Sequence, residues 1–296
     1  MGSTAVALAE PTGRNLAGRQ ASTDAQVVAM WLHGKGANTA RAYAREAATF
    51  SAFVGGAPLP AVTLGDVQAY ADHLEARGLA PATQARALAA LKSLLTFAQR
   101  IGYTPVNVGA AEKLPRLKFT LSERIVTEEV VAQVIALEPS PRNHVLLRLL
   151  YVGGLRVSEA CGLHWRDVQG RQGGAQVTVY GKGEHTRVVL LPAPLAAELE
   201  GLRGDAGDDA PVFVGRGGGE LTAGQAWRIV KAAADRAGAP ALSPHWLRHA
   251  HASHALDNGA GIHVVRDTLG HASLATTSRY LHARPGDSSA LYLPAV

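Results

Sequence analysis

The chain of 296 residues contains a single cysteine, Cys161. One cysteine excludes an intramolecular disulfide and a cysteine-rich zinc site, and it fits a reducing cytoplasm. Cys161 reads as a small apolar core residue. No run of about 18 apolar residues is present, so no membrane span is expected. The short run AVALA near the N-terminus has no basic stretch before it and does not read as a signal peptide. Residues 1–21, rich in Gly, Ala, Thr and Arg, read as a mobile tail. No pair of carboxylates is evident to hold a metal, and HExxH is absent. The glycine-rich GRGGGE at 215–220 lacks the GK[ST] ending of a phosphate-binding loop. No internal repeat is evident.

What is present is a large apolar complement and a basic balance. Hydrophobic residues make up 47% of the chain, enough for a sizeable core in one large or two ordinary domains. The formal net charge is +5 and the pI about 9.5, which favours nucleic acid or another polyanion as partner.

Residues 22–110 read as a four-helix module. Tyr43, Ala47, Phe50 and Val54 share one face, and Thr63 with Asp66 resembles a capping box on a helix ending at Gly78. Pro81 suits a first helical position. From there Leu88, Leu91, Leu94, Leu95 and Ala98 form an apolar stripe closed by Gly102. Residues 111–124 carry Pro115 and several basic groups without a periodic pattern, and read as a linker. A second domain, 125–296, opens with helices from Thr127 and Asn143. It then alternates like strands over Gln176–Tyr180 and Arg187–Leu191 and returns to helices after Pro192. The expected fold is therefore mainly α with a small antiparallel β-sheet.

Several residues of the second domain suit a phosphodiester. Arg156 follows the Gly153-Gly154 break in VGGLRVSE, where the backbone can bend close to a ligand. Glu159, three residues on, can orient it. Lys182 lies on the turn between the two strands, in GKGEHTR. Ser243-Pro244-His245 looks like a helix start, and it puts His245 and Arg248 on one helical face. A guanidinium offers a planar fork to phosphate oxygens, and a histidine donates or accepts a proton near neutral pH. His271 lies in LGHAS. Tyr280 lies in TTSRYLHA, where positive charge would activate its phenol as a nucleophile. Taken singly, each has a plain reading as a surface ion pair, a solvated helix face or a core side chain. His249, His251 and His254 share the segment with His245, but Arg248 among them would repel a metal cation, and they read as facing core or solvent.

Together these segments resemble the tyrosine recombinases of the phage-integrase family, in their Xer-like branch. The stretch PHWLRHAHASHALDNGAGIHVVRDTLGHASLATTSRYLHA, the box GLRVSEACGL and the GKG hairpin occur in the family's order. NTARAYAREAATFSAF with APATQARALAALKSLLTFA is similar to its core-binding domain. The likeness runs over residues 22–290. It implies a two-domain DNA clamp with an N-terminal SAM-like helical domain. It also implies a site-specific recombinase working through a 3′-phosphotyrosine and a Holliday junction, without metal, ATP or cofactor. Tyr280 would attack. Arg156 and Arg248 would stabilise the transition state, and His245 would serve as acid, base or phosphate ligand. His271 would donate to a phosphate oxygen, and Lys182 would protonate the leaving 5′-hydroxyl.

The resemblance further implies double-stranded DNA with inverted-repeat sites as partner. It implies a tetramer on DNA, built from copies of this chain or with a paralogous recombinase, in the cytoplasm on the nucleoid. Arg41, Arg86 and Lys92 are candidate DNA contacts of the first domain, and each reads equally as a solvated charge. Phenylalanine is common in the family where His251 stands. Leu291, Tyr292 and Leu293 could dock on a neighbouring subunit or fold back. Two other readings stay open, a type IB topoisomerase and a DNA-binding protein that does not cut.

Overall fold

The computed structural model describes residues 20–116, 125–181 and 186–281. They form two compact units, divided between Lys118 and Phe119. Among the described residues no helix is long and apolar enough to cross a membrane.

The first unit contains α1 (Asp24–Leu32), α2 (Ala37–Phe53), α3 (Leu64–Ala76) and α4 (Pro81–Arg100). Local chemistry sets their ends. The Thr63 hydroxyl accepts from Asp66 N at 3.2 Å, and the Asp66 carboxylate accepts from Thr63 N at 2.8 Å, so two amides at the start of α3 are satisfied reciprocally. Pro81 starts α4. The stripe Leu88, Leu91, Leu94, Leu95 and Ala98 is buried against Val27, Trp31, Phe50, Val67, Tyr70 and Leu74. Each such leucine contributes about 1.5–3 kcal/mol. Asp24 ties the unit together, accepting from the Tyr103 hydroxyl at 2.7 Å and from Leu59 N at 3.0 Å.

The second unit begins, among the described residues, with α5 (Glu128–Ala136), α6 (Pro141–Val152) and the one-turn α7 (Val157–Cys161). Next come β1 (Val168–Arg171), β2 (Gly174–Tyr180) and β3 (Thr186–Pro192), paired antiparallel in the order β1-β2-β3. Then follow α8 (Ala193–Gly201), α9 (Ala223–Arg236), α10 (Pro244–Asp257), α11 (Ile262–Leu269) and α12 (Leu274–Leu281). In β2 and β3 the alternation is plain. Ala175, Val177, Val179, Val189 and Leu191 face the core, while Val188 and Leu190 face out. The sheet has one strand more than the two expected. β1 is short and carries one apolar residue, Val168, so it has no alternating pattern to read. Helix α6 is buried at Leu146, Leu147, Leu149 and Leu150 and forms the centre of this unit. Cys161 is a buried free cysteine in the same core.

At the start of α10, Pro244 occupies the first turn as expected, but the Ser243 side chain makes no capping hydrogen bond. Ser243 nevertheless holds the N-cap position in extended backbone, where the serine was expected. The proline alone, with its fixed φ and missing amide, suits that turn.

Candidate active site

Glu159 is the hub of a charge cluster. Its carboxylate is 5% exposed and accepts from Arg156 N at 2.7 Å, from Arg156 Nη1 at 2.7 Å, and from both Nη atoms of Arg187 at 2.9 and 2.8 Å. Arg248 Nη1 lies 4.0 Å away. Burial pushes the Glu159 carboxyl up, but hydrogen bonds from Arg187 and Arg156 and the Arg187 charge outweigh it and hold it at about 2. Three guanidiniums thus surround one carboxylate, leaving the cluster net positive. Arg156, at the N-cap of α7, is the most open of the three, with a side chain 40% exposed against 11% for Arg187 and 7% for Arg248.

Arg248 is built into the backbone. Its guanidinium donates to the Gly154 carbonyl through Nη1 and to the Leu269 carbonyl through Nη2. Burial, then repulsion from Arg156, lowers it to about 10, so it stays charged at neutral pH. These bonds join the turn after α6 to the end of α11. Gly154 has φ +60°, and a Cβ there would meet Leu269 Cδ2 at 2.9 Å and the His251 ring at 3.0 Å. The Gly-Gly break therefore serves close approach, as expected, but toward the protein's own arginine and histidine. Arg187 completes the tie, its Nε donating to the Thr268 carbonyl at 2.7 Å.

Tyr280 on α12 is 6% exposed, its ring packed with Ile125, Ala252, Val265 and Leu269. Its hydroxyl lies 2.7 Å from Nδ1 of His249. The ring of His271 runs parallel to that of Tyr280, with centroids 6.4 Å apart and 5° between planes. His271 Nδ1 is 2.9 Å from the hydroxyl of Thr277, a fully buried side chain. Burial, then the charges of Arg248 and Arg156, lower His271 to about 4, so it is neutral at physiological pH. With the Thr277 hydroxyl donating to Nδ1, Nε2 carries the ring hydrogen and can donate. This is a tyrosine hydroxyl beside two imidazoles and a net positive arginine cluster, chemistry suited to attack on a phosphodiester.

Residues 124–286 match the phage integrase family, and residues 32–102 match the N-terminal SAM-like domain of phage integrases. The chain belongs to the phage integrase family of tyrosine recombinases. It is 35% identical to tyrosine recombinase XerC of Rhodospirillum centenum over 84% of this chain and 80% of that one. It is 33% identical to XerC of Mycobacterium tuberculosis over 84% and 89%. The fold resembles that of a lambda integrase dimer bound to a COC′ core site, with TM-score 0.71, 17% identity, and coverage of 90% of this chain and 79% of that one. It also resembles XerH site-specific recombinase bound to difH substrate, with TM-score 0.64, 22% identity, and coverage of 79% and 70%. The activity of this tyrosine recombinase is site-specific DNA recombination.

Of the six residues picked from the recombinase sequence, four meet here: Arg156, Arg248, His271 and Tyr280. His245 is exposed on the first turn of α10 and makes no hydrogen bond to a described residue. Lys182 lies outside the described residues, as do the tail residues Leu291, Tyr292 and Leu293. Arg187 and His249 were missed. Arg187 reads as an ordinary alternating strand residue, and its partner Glu159 is 28 residues away. His249 was expected to face core or solvent, yet it touches the Tyr280 hydroxyl. The other two histidines of the helix do turn inward. His254 Nε2 donates to the Val126 carbonyl at 2.9 Å, leaving Nδ1 to accept from the Tyr151 hydroxyl at 2.9 Å. His251 Nδ1 donates to the Tyr151 carbonyl at 2.8 Å.

Among the candidate DNA contacts of the first unit, Arg41 is exposed and bonded to Asn38 at 3.2 Å, and Arg86 pairs with Glu46 at 3.2 Å. The Lys92 ammonium donates to the Glu112 and Ala110 carbonyls, closing the chain onto α4. In the second unit a cavity of about 440 Å³ is lined by Arg142, Arg216, Arg228, Arg236 and Glu138, and it shares no residue with the Tyr280 cluster.

His251 carries a pH prediction. Burial holds it at about 4 against the ordinary 6.5. The unfolded chain therefore takes up the proton first, so stability present above pH 6.5 is lost as pH falls toward 4. At pH 5 the difference amounts to about 2 kcal/mol. His251→Phe gives up the bond to the Tyr151 carbonyl, costing about 1 kcal/mol at neutral pH, but removes this penalty. Urea unfolding at pH 7.5 and pH 5 should show a smaller acid loss in the variant than in wild type. Equal losses would exclude His251 as the titrating group.

Proposed function

We propose that Tyr280 attacks a DNA phosphodiester to form a 3′-phosphotyrosine, and that a 5′-hydroxyl from a partner duplex then displaces it, exchanging strands through a Holliday junction. The observation that carries this is the Tyr280 hydroxyl set against His249 and His271 beside the Arg156–Arg187–Arg248 cluster. Phosphoryl transfer needs positioning and charge stabilisation. Arg156, the open guanidinium, binds a non-bridging phosphate oxygen. Arg248 holds the field from behind while it keeps two backbone turns in register. His271 donates through Nε2. Lys182, assigned by its motif alone, protonates the leaving 5′-oxygen. His245, exposed on the same helix as Arg248, is a phosphate ligand. Fixed cations and donors supply the stabilisation that a metal ion would otherwise give, and the covalent bond conserves the energy of the cut backbone, so neither metal nor ATP is required.

In the same reading residues 22–110 form a core-binding domain, with Arg41 and Arg86 as phosphate contacts, and residues 125–296 form the catalytic domain. The enzyme assembles as a tetramer on inverted-repeat DNA in the cytoplasm, with copies of itself or a paralogue. The test is a nicked suicide duplex carrying a site recovered by the protein from a random duplex pool. Wild type should leave a protein–DNA adduct that survives SDS. No adduct on a site bound tightly would refute cleavage, and relaxation of any supercoiled plasmid by the monomer would favour a topoisomerase.

A further inference from the structure

We propose that His249 is the base that removes the phenolic proton of Tyr280. The inference rests on the reading of Tyr280 as nucleophile and assigns a role that the sequence had left to His245. Three histidines are placed to compete for it. His245 is exposed, one helical turn before His249, with no hydrogen bond to a described residue. His271 lies parallel to the Tyr280 ring, with Nδ1 2.9 Å from the Thr277 hydroxyl. Only His249 among these has a ring nitrogen within hydrogen-bond distance of the hydroxyl that reacts, 2.7 Å from Nδ1 to Oη, with the two rings tilted by 47°. That distance needs no rearrangement for proton transfer.

Tertiary packing keeps this pair together. Tyr280 is held by Ala252 of α10 and by Val265 and Leu269 of α11, so its ring is fixed against the helix that carries His249. With the ring hydrogen on Nε2, Nδ1 accepts from the phenol. As Oη approaches phosphorus, its O–H bond breaks and Nδ1–H forms, giving an imidazolium. The Oη–P bond forms and the P–O5′ bond breaks, with the proton for the 5′-oxygen coming from Lys182. In rejoining, a 5′-hydroxyl gives its proton to the Lys182 amine as it attacks phosphorus, the Oη–P bond breaks, and His249 returns its proton to Oη as Tyr280 leaves. Charge balances locally, since the anion develops beside Arg156 and Arg248 while the cation develops on His249.

The experiment measures single-turnover adduct formation on the nicked duplex for wild type, His249→Ala and His249→Gln. Each is made with tyrosine at position 280 and, separately, with a trifluorotyrosine whose phenol is already ionised at neutral pH. Glutamine keeps a polar side chain near Oη but cannot take its proton. With ordinary tyrosine the two variants should be slower by about 10²-fold while binding the same duplex. With trifluorotyrosine, which needs no base, the defect should shrink toward unity. Free imidazole should partly restore His249→Ala. His249→Gln cleaving at the wild-type rate, or a defect of the same size in the fluorinated background, would overturn the proposal. If wild type itself forms no adduct, the nucleophile reading fails and this one fails with it. If wild type cleaves and only the ratios disagree, His249 alone is refuted.

Discussion

Tyr280→Phe is expected to bind the duplex and form no covalent adduct at all. The substitution removes one oxygen. The ring still fills the space between Ile125, Ala252, Val265 and Leu269, so α12 keeps its seat against α10 and α11. The fold loses at least the hydrogen bond to His249 Nδ1, on the order of 1 kcal/mol. Folding and DNA binding should therefore survive, while the step that makes the Oη–P bond has no nucleophile. Gel shift, thermal unfolding and SDS-resistant adduct, measured on one preparation, separate these outcomes. An adduct of normal yield in the variant would mean that another residue attacks, and would remove Tyr280 from its role.

Arg248→Ala should cost both catalysis and stability. Its guanidinium is 5% exposed as a residue and bonded to the Gly154 and Leu269 carbonyls. Alanine leaves two carbonyls without that donor and takes one of three cations from around Glu159. A buried polar group stripped of its partner costs about 1–3 kcal/mol. Cleavage should fall by at least about 10²-fold, as when one donor to a developing anion is removed. Arg248→Lys keeps the charge but lacks the planar fork, so it should fall between wild type and alanine in both measures. Denaturant midpoints and adduct rates for the three proteins test this. Unchanged stability in Arg248→Ala would contradict the backbone tie, and unchanged cleavage would remove Arg248 from the site.

The contrast between these two substitutions follows from where each side chain gets its neighbours. Tyr280 carries one proposed reacting atom on a packed ring. Arg248 belongs to the candidate site and also holds the backbone around it, so an alanine variant there changes more than the charge of that site.

The residues read well from sequence were those whose partners are near in the chain. The capping box of Thr63 and Asp66, Pro81 at the head of α4, the leucine stripe of α4, and Arg156 beside Glu159 all depend on spacings of a few residues. Local geometry makes those contacts whatever the rest of the chain does. β1 was missed because a four-residue polar strand has no pattern of its own and forms only where β2 offers its edge. The backbone bonds of Lys92 are not legible in the sequence because its acceptors lie 18 and 20 residues away. His249 was placed with core or solvent because nothing in its helix points to a tyrosine 31 residues further on.

The sequence by itself determined the helices and the two patterned strands, the family, and which residue kinds are available to hold a phosphate. Helical and strand periodicity and ordered motifs carry that information along the chain. Only the tertiary structure decided which of four histidines on α10 meets the Tyr280 hydroxyl, that Arg187 shares Glu159 with Arg156, and that Arg248 is anchored on two carbonyls. Those contacts join α7, β3, α10, α11 and α12, and they form only when packing of apolar side chains brings distant segments within hydrogen-bond distance.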